Sequence, residues 1–147
     1  MTAKEYLSQY RKLTWDIERL DRDIERINDE IDNMAINYDG MPRGSGISKK
    51  PEDIAVKLSI LESKKQKQRA KAATKREEIT ATIAAVADPV LSMLLYDRYI
   101  SLMSWERIAE DIGGSDIWPR DTLSEYWARS EMHDRALAAV DAIINPE

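Results

Sequence analysis

The sequence predicts an all-α protein, a long antiparallel coiled-coil helical hairpin followed by a small trihelical helix-turn-helix domain. Apolar residues alternate at intervals of three and four through about residues 6–86, which is the heptad pattern of paired helices. The chain has 33% charged residues, no Phe and only 5 Gly and 5 Pro, which favours helices over sheets. A helix start and a Gly pair then frame residues 104–115, as in the first helix and turn of a helix-turn-helix.

A first helix is predicted over about residues 3–38. Its heptad seam consists of Tyr6, Tyr10, Leu13, Ile17, Leu20, Ile24, Ile27, Ile31, Met34 and Tyr38. The rest of this surface is charged, so we expect another helix to cover the seam. Gly and Pro in residues 39–50 then predict a linker.

A second helix is predicted over about residues 51–86. Pro51 suits a first helical turn, and Glu52 and Asp53 suit the positive end of the helix dipole. The seam residues are Ile54, Leu58, Leu61, Ala72, Ile79 and Val86, with the polar Lys65, Gln68 and Lys75 between them. The hairpin would form a first domain over residues 1–87.

Charge is distributed unevenly, although the whole chain has a net charge of −5. Residues 41–87 carry 11 basic and 5 acidic side chains, whereas residues 104–147 carry 4 and 10. Folding the second helix back on the first brings a basic run opposite Glu18, Asp21, Asp23 and Glu25. That run is Lys64, Lys65, Lys67, Arg69 and Lys71. It is either neutralised or simply solvated there, or it is an arm that binds nucleic-acid phosphates.

A helix-turn-helix domain is predicted over residues 88–147. Pro89 ends the hairpin, and the almost wholly apolar residues 90–100 predict a buried supporting helix. Ser104 is suited to cap the next helix, whose residues Trp105, Ile108 and Ile112 share one face. Ala109 would let another helix cross closely, and Gly113 could end the helix in a left-handed conformation.

The second helix of the motif does not follow at the usual spacing. In a regular helix-turn-helix, the apolar residues of the second helix lie at fixed distances along the sequence from the first helix. Counted from Trp105, these positions fall on Pro119 and Thr122, whereas an insertion of about four residues brings them to Leu123 and Tyr126. We therefore expect an elongated turn over about residues 115–119, with Trp118 in it, and a helix from Arg120 or Asp121 to about Ile144. That helix either is unbroken or kinks near Ser130. Its inward stripe would be Leu123, Trp127, Ser130, Leu137, Val140 and Ile144.

Candidate DNA-binding side chains lie on and beside this element. They are Arg107, Arg120, Thr122, Ser124 and Arg129. Arg can contact guanine edges or phosphates, and Ser and Thr can contact either. Asp121 and Glu125 would repel the same phosphates. Trp118 is the candidate partner-binding residue, because an exposed Trp often anchors an interface.

Several motifs resemble phage late-operon transcription regulators of the ArpU and RinA type. They are Tyr99-Ile100, the Ser-Trp-Glu-Arg-Ile-Ala-Glu segment 104–110, Gly-Gly-Ser 113–115 and Arg-Ala-Leu 135–137, with Met-Pro-Arg-Gly-Ser-Gly 41–46 and Ile-Ala-Val-Lys-Leu 54–58 in the first half. The resemblance implies a sigma-region-four-like helix-turn-helix that acts on late or packaging genes. Such regulators commonly have a basic helix directly after the turn, whereas here residues 116–120 intervene and the next helix is acid-rich.

An enzyme is the class that the sequence favours least. There is one His, His133, and no Cys, so neither a Cys–His nucleophile pair nor a His-based metal site is available. We expect no catalytic residue, no metal and no cofactor. No apolar run approaches the roughly 20 residues of a membrane span, and the first residues do not resemble a signal peptide. We expect a soluble protein of the host bacterial cytoplasm.

The predicted function is therefore that of a phage or prophage transcription regulator. It would bind double-stranded promoter DNA, RNA polymerase or another protein through the helix-turn-helix, and assemble, as a homodimer, through the coiled-coil hairpin. Two alternatives are an adaptor or inhibitor that binds a host protein through an acidic helical surface, and a small terminase-like DNA-packaging protein.

Overall fold

The computed structural model describes residues 1–38 and 51–146, and these residues form helices, turns and irregular segments without a strand. The predicted all-α class is confirmed for this part of the chain. The helices are α1 (Ala3–Leu7), α2 (Gln9–Tyr38), α3 (Pro51–Ala84), α4 (Pro89–Tyr99), α5 (Trp105–Gly113), α6 (Glu125–Trp127) and α7 (His133–Ile144), with a π-helical turn (Ala128–Met132) between α6 and α7. Among the helices described, none is both long and apolar enough to cross a membrane. The predicted linker 39–50 lies outside the described residues.

The predicted first helix is divided at Ser8 into α1 and α2. Thr2 and Glu5 form a capping box at its start. Ser8 keeps a right-handed helical backbone, donates its N–H to the Lys4 carbonyl at 3.0 Å and accepts from the Lys12 N–H at 3.1 Å. The division is therefore local. The second predicted helix starts at Pro51 as expected and ends at Ala84, two residues before the predicted end.

The described residues pack into two compact units, one made of residues 1–12 with 72–146 and the other of residues 13–38 with 51–71. These are called the first and second unit below. They differ from the predicted segments 1–87 and 88–147, because α1 packs against α7 and the last turns of α3 contribute to the same core. The N-terminal residues thus belong with the C-terminal helices.

The core of the first unit is built from nearly every element in that unit. Its buried apolar residues are Ala3, Leu7, Ile79, Ile83, Val86, Leu94, Leu95, Tyr99, Ile100, Ile108, Ile112, Ala128, Met132, Ala136 and Val140. Asp88 caps α4 by accepting hydrogen bonds from the N–H groups of Val90 and Leu91, with Pro89 at the first helical position. The predicted supporting helix is therefore present, with Leu94 and Leu95 fully buried.

The second unit has a thinner apolar interior. Of its described residues, Ile54 is the only apolar one that is buried, whereas the predicted seam positions from Leu13 to Ile27 are half-buried. Lys65 of α3 forms an ion pair with Asp21 of α2, and Gln68 has a buried Oε1 without a hydrogen-bond partner. The polar centre predicted for the α3 seam is thus part of the contact between the two helices.

Candidate functional site

Helix α5 begins and ends where its local sequence predicts. The Ser104 hydroxyl accepts a hydrogen bond from the Arg107 N–H at 3.3 Å, which caps the free N–H groups at the helix start. Ile108, Ala109 and Ile112 are buried, which confirms the predicted inward face. Trp105 is half-buried and packs against the same core.

Gly113 is required for space rather than for a left-handed backbone. It is the last residue of α5, and a Cβ added there would lie 2.9 Å from the Leu123 backbone nitrogen and 3.3 Å from the Thr122 carbonyl carbon. The expected left-handed ending is wrong, since neither Gly113 nor the following Gly114 has a positive φ. The glycine instead lets the chain that precedes α6 lie against the end of α5.

The connection between α5 and α6 is longer than predicted and covers residues 114–124. The Ser115 hydroxyl donates to the Ile112 carbonyl at 2.6 Å, and the Trp118 indole N–H donates to the Thr122 carbonyl at 3.0 Å. Trp118 is half-buried against the core, so the exposed Trp expected in the turn is not observed. Its structural role is to close this loop.

The predicted helix start at Arg120 or Asp121 is wrong, because α6 begins at Glu125. Ser124 is the N-cap, and its hydroxyl lies 3.4 Å from the Trp127 N–H. The hydrogen bond to Trp118 and the contact with Gly113 occupy the backbone of Thr122 and Leu123, so that stretch is not helical.

The candidate DNA-binding residues therefore fall into four places. Arg107 is exposed on α5, Arg120 and Thr122 are exposed in the connection, and Ser124 caps α6. Arg129 is exposed in the π-helical turn, where its guanidinium lies 3.7 Å from the Glu125 carboxylate. The structure thus places only Arg129 within the helix that was expected to present most of the set.

Two large aromatic side chains that we expected to face inward are exposed. Tyr126 is 68% and Trp127 is 42% exposed, and they are consecutive at the start of α6. Sequence spacing assigned Tyr126 to the core through its offset from Trp105, and Trp127 through the inward stripe. The inward positions are instead Ala128, Met132 and Ala136.

A π-helical turn follows these exposed residues and changes the helical phase beyond them. A π-helical turn has more residues than an α-helical turn, so it shifts every later residue relative to a regular α-helix. Within it the Ser130 hydroxyl donates to the Tyr126 carbonyl at 2.6 Å. The sequence indicated an irregularity near Ser130, but a regular period cannot give the direction of the side chains across it.

A buried polar cluster underlies these helices. The Tyr99 hydroxyl and His133 Nε2 lie 2.6 Å apart, and the Trp105 ring packs edge-on against His133 with centroids 4.8 Å apart. The Arg98 guanidinium lies 4.7 Å from the Trp105 ring centroid. Burial raises the pKa of Tyr99 to about 12, and burial followed by the nearby Lys4 charge lowers the pKa of His133 to about 4. Both groups are therefore uncharged at neutral pH and act as core residues.

Asp97 is a buried carboxyl that sequence reasoning missed. It is 6% exposed on α4, and its Oδ2 has no hydrogen-bond partner. Burial first, and then a hydrogen bond and charge repulsion from the Asp111 carboxyl on α5, raise the pKa of Asp97 to about 7. A proton held at this pair allows the two carboxyls to lie together. Only the spacing of Asp97 from Leu94 could have indicated its burial.

Comparison with known proteins gives no further assignment. No protein-family model, no curated protein and no solved structure matches this chain.

Proposed function

We propose that this chain is a phage or prophage transcription regulator. Its C-terminal helices would form a helix-turn-helix that binds double-stranded promoter DNA, RNA polymerase or both. Helices α2 and α3 would form an antiparallel coiled-coil hairpin that assembles the protein as a homodimer in the cytoplasm of the bacterial host. The resemblance of residues 104–110 and 135–137 to ArpU- and RinA-type regulators motivates this role, which includes no catalytic step and no cofactor.

The observation that carries the proposal is the arrangement of α5 and α6 around Gly113. Helix α5 is capped at Ser104, its inner face is buried, and its last residue abuts the backbone that leads into α6. A helix-turn-helix positions its recognition helix in this way, with the first turn exposed for contact. Here the exposed residues of that turn and the next include Tyr126, Trp127 and Arg129, together with the acidic Glu125 and Glu131.

In this proposal Arg129 is the residue that contacts a base edge or a phosphate, after exchanging its contact with Glu125. Arg107, Arg120 and Thr122 are exposed and would contact the DNA backbone. Ser124 would donate a hydrogen bond from its hydroxyl group to the DNA, because its oxygen already accepts one from the Trp127 N–H.

Assembly as a homodimer is supported by the exposed apolar side chains of α3. Val56 is 59% and Ile60 is 50% exposed, and they lie one helical turn apart. Ile60 also lines a shallow groove with Ile27 and Leu61. We expect light scattering to give twice the chain mass, and a double substitution of Val56 and Ile60 by Gln to give one chain mass. A single chain mass for the unchanged protein would contradict the homodimer.

Promoter binding is tested by fluorescence anisotropy with duplexes from the phage late-promoter region and from a shuffled sequence, over a range of salt concentrations. Arg129→Ala should weaken binding to the promoter by about 1–3 kcal/mol if Arg129 contacts a base. Arg135→Ala is the matched control, because Arg135 forms a similar pair with Glu131 one to two turns further along. Equal affinity of the unchanged protein for the two duplexes would exclude sequence-specific binding.

A protein-binding adaptor is the second candidate, and the exposed Tyr126 and Trp127 favour it. Exposed aromatic side chains commonly anchor protein interfaces, and residues 104–147 have a net charge of −6, which suits a basic protein surface better than DNA. Capture of a host protein other than RNA polymerase in the presence of nuclease, lost in Tyr126→Ala/Trp127→Ala, would support this candidate, whereas capture of RNA polymerase would support the first. Capture that persists in this variant would assign the contact to another surface.

A further inference from the structure

Three lysines form an exposed line along α3 within the second unit. Lys64, Lys67 and Lys71 are separated by three and four residues, so they lie on one side of the helix. All three are exposed. This set is called the lysine stripe.

The lysine stripe is not neutralised as Lys65 and Lys75 are. Lys65 forms an ion pair with Asp21, and Lys75 forms one with Glu78 at 3.1 Å. Within the described residues, the three stripe lysines form no ion pair and no side-chain hydrogen bond. Neutralisation across the two helices therefore accounts for Lys65 but not for the stripe.

Like charges three and four residues apart repel one another along a helix. Each stripe lysine is exposed, so packing of its side chain into a core does not offset this repulsion. A bound polyanion would offset it, because anionic groups would then lie between the ammonium groups. The stripe thus has the charge and the accessibility of a polyanion-binding surface.

The spacing of the stripe matches that of phosphates. Lys64 and Lys71 are seven residues apart, which is about 10 Å along the helix axis. One strand of duplex DNA places about three phosphates along the same distance. Lysine acts on phosphate as a mobile point charge and does not require a fixed orientation.

We propose that the lysine stripe binds the phosphate backbone of duplex DNA without sequence preference. The choice of DNA rests on the proposed function. Residues 104–147 have a net charge of −6 and supply little of the positive charge that DNA binding needs. The stripe supplies that charge from a different part of the chain, while the helix-turn-helix selects the sequence.

The test uses the full chain, a random-sequence duplex and a salt titration. Lys64→Gln/Lys67→Gln/Lys71→Gln should reduce the slope of log affinity against log salt by about 2.7, because three phosphate contacts are lost. Affinity at low salt should fall by about tenfold or more. Circular dichroism and thermal unfolding establish that the variant is folded.

The matched control is Arg19→Gln/Arg22→Gln/Arg26→Gln on α2. It removes three positive charges at the same spacing, but Arg19 and Arg26 already pair with Asp16 and Asp23. The control should leave the slope close to that of the unchanged protein. An unchanged slope in the lysine variant, or an equal loss in both variants, would overturn the proposal.

Two comparisons separate this proposal from the proposed function. The lysine variant should retain the preference of the unchanged protein for promoter over random duplex, whereas Arg129→Ala should lose it. The unchanged protein could lack this preference while the lysine variant still reduces the slope by about 2.7. Sequence-specific binding would then be wrong, and phosphate binding by the lysine stripe would be supported. If polyglutamate of matched charge competes as well as the duplex, the stripe binds acidic peptides and the proposal is wrong.

Discussion

The two units of this protein bury their side chains in different ways. In the first unit, apolar residues such as Leu94, Ile108 and Val140 are fully excluded from solvent. In the second unit, the predicted seam positions from Leu13 to Ile27 are half-buried and Lys65 lies among them. Burial of apolar surface is the main stabilising term in folding. The first unit can therefore hold a defined site by itself, whereas the second unit depends more on charge and on further contacts.

The largest expected effect comes from a cavity in the first unit. Ile108→Ala should reduce the free energy of unfolding by about 2–5 kcal/mol, because Ile108 has no exposed surface. Ile24→Ala in the second unit should cost about half as much or less, since Ile24 is half-buried and water can fill the gap. Urea unfolding followed by circular dichroism measures both. Equal costs would contradict the contrast between the two units.

A smaller loss of stability is expected at Gly113, where the end of α5 lies against the backbone that precedes α6. Gly113→Ala should destabilise by about 1–3 kcal/mol, because the new methyl group would lie 2.9 Å from the Leu123 nitrogen. Gly114→Ala is the control, since its Cβ would lie 3.4 Å from the Glu110 carbonyl oxygen and meet little else. Thermal unfolding compares the two variants, and a loss no larger at Gly113 than at Gly114 would argue against the tight approach.

The third prediction concerns the pH dependence of the first unit. Burial raises the pKa of Asp97 from its usual 3.8 to about 7, so the folded state retains a proton that the unfolded state releases. The stabilisation is complete below about pH 4 and is lost as the pH rises through about 7. Asp97→Asn mimics the protonated form. It should remove this loss and stabilise the protein at pH 8 by roughly 1–2 kcal/mol. This is well below the free energy that the full pKa shift corresponds to, because the pair of Asp97 and Asp111 can relax.

Urea unfolding of both proteins between pH 4 and pH 8 measures this difference. His133 makes a separate contribution of opposite sign, because its lowered pKa gives stabilisation that is present above about pH 6.5 and lost as the pH falls through about 4. A decline in stability from pH 4 to pH 7 that is the same in Asp97→Asn would assign it to groups other than Asp97.

Structural features that depend on only a few neighbouring residues were predicted well. Ser104 caps α5, Pro51 starts α3 and Pro89 starts α4, and each is a local rule about free N–H groups or a fixed φ angle. The inward residues of α5 follow from the helical period for the same reason. The elements that position the candidate site were therefore largely visible in the sequence.

The start of α6 and the exposure of Trp127 were not predictable in the same way. The start depends on the hydrogen bond from Trp118 and on the contact with Gly113, which are tertiary interactions. Trp127 precedes the π-helical turn, and that turn breaks the regular period that had placed Trp127 on the same face as the later inward residues. The burial of Ala3 and Leu7 with the C-terminal helices depends on which distant segments meet.

That last contact constrains how the protein folds during synthesis. Helix α1 packs against α7, whose first residue follows Leu7 by more than 120 positions. At ribosomal rates of 5–20 residues per second, α1 waits on the order of 10 s for its partner. The second unit can pair α2 with α3 as soon as residue 71 has emerged. Until α7 has been synthesised, Leu7 is an exposed apolar side chain that chaperones on the ribosome can recognise.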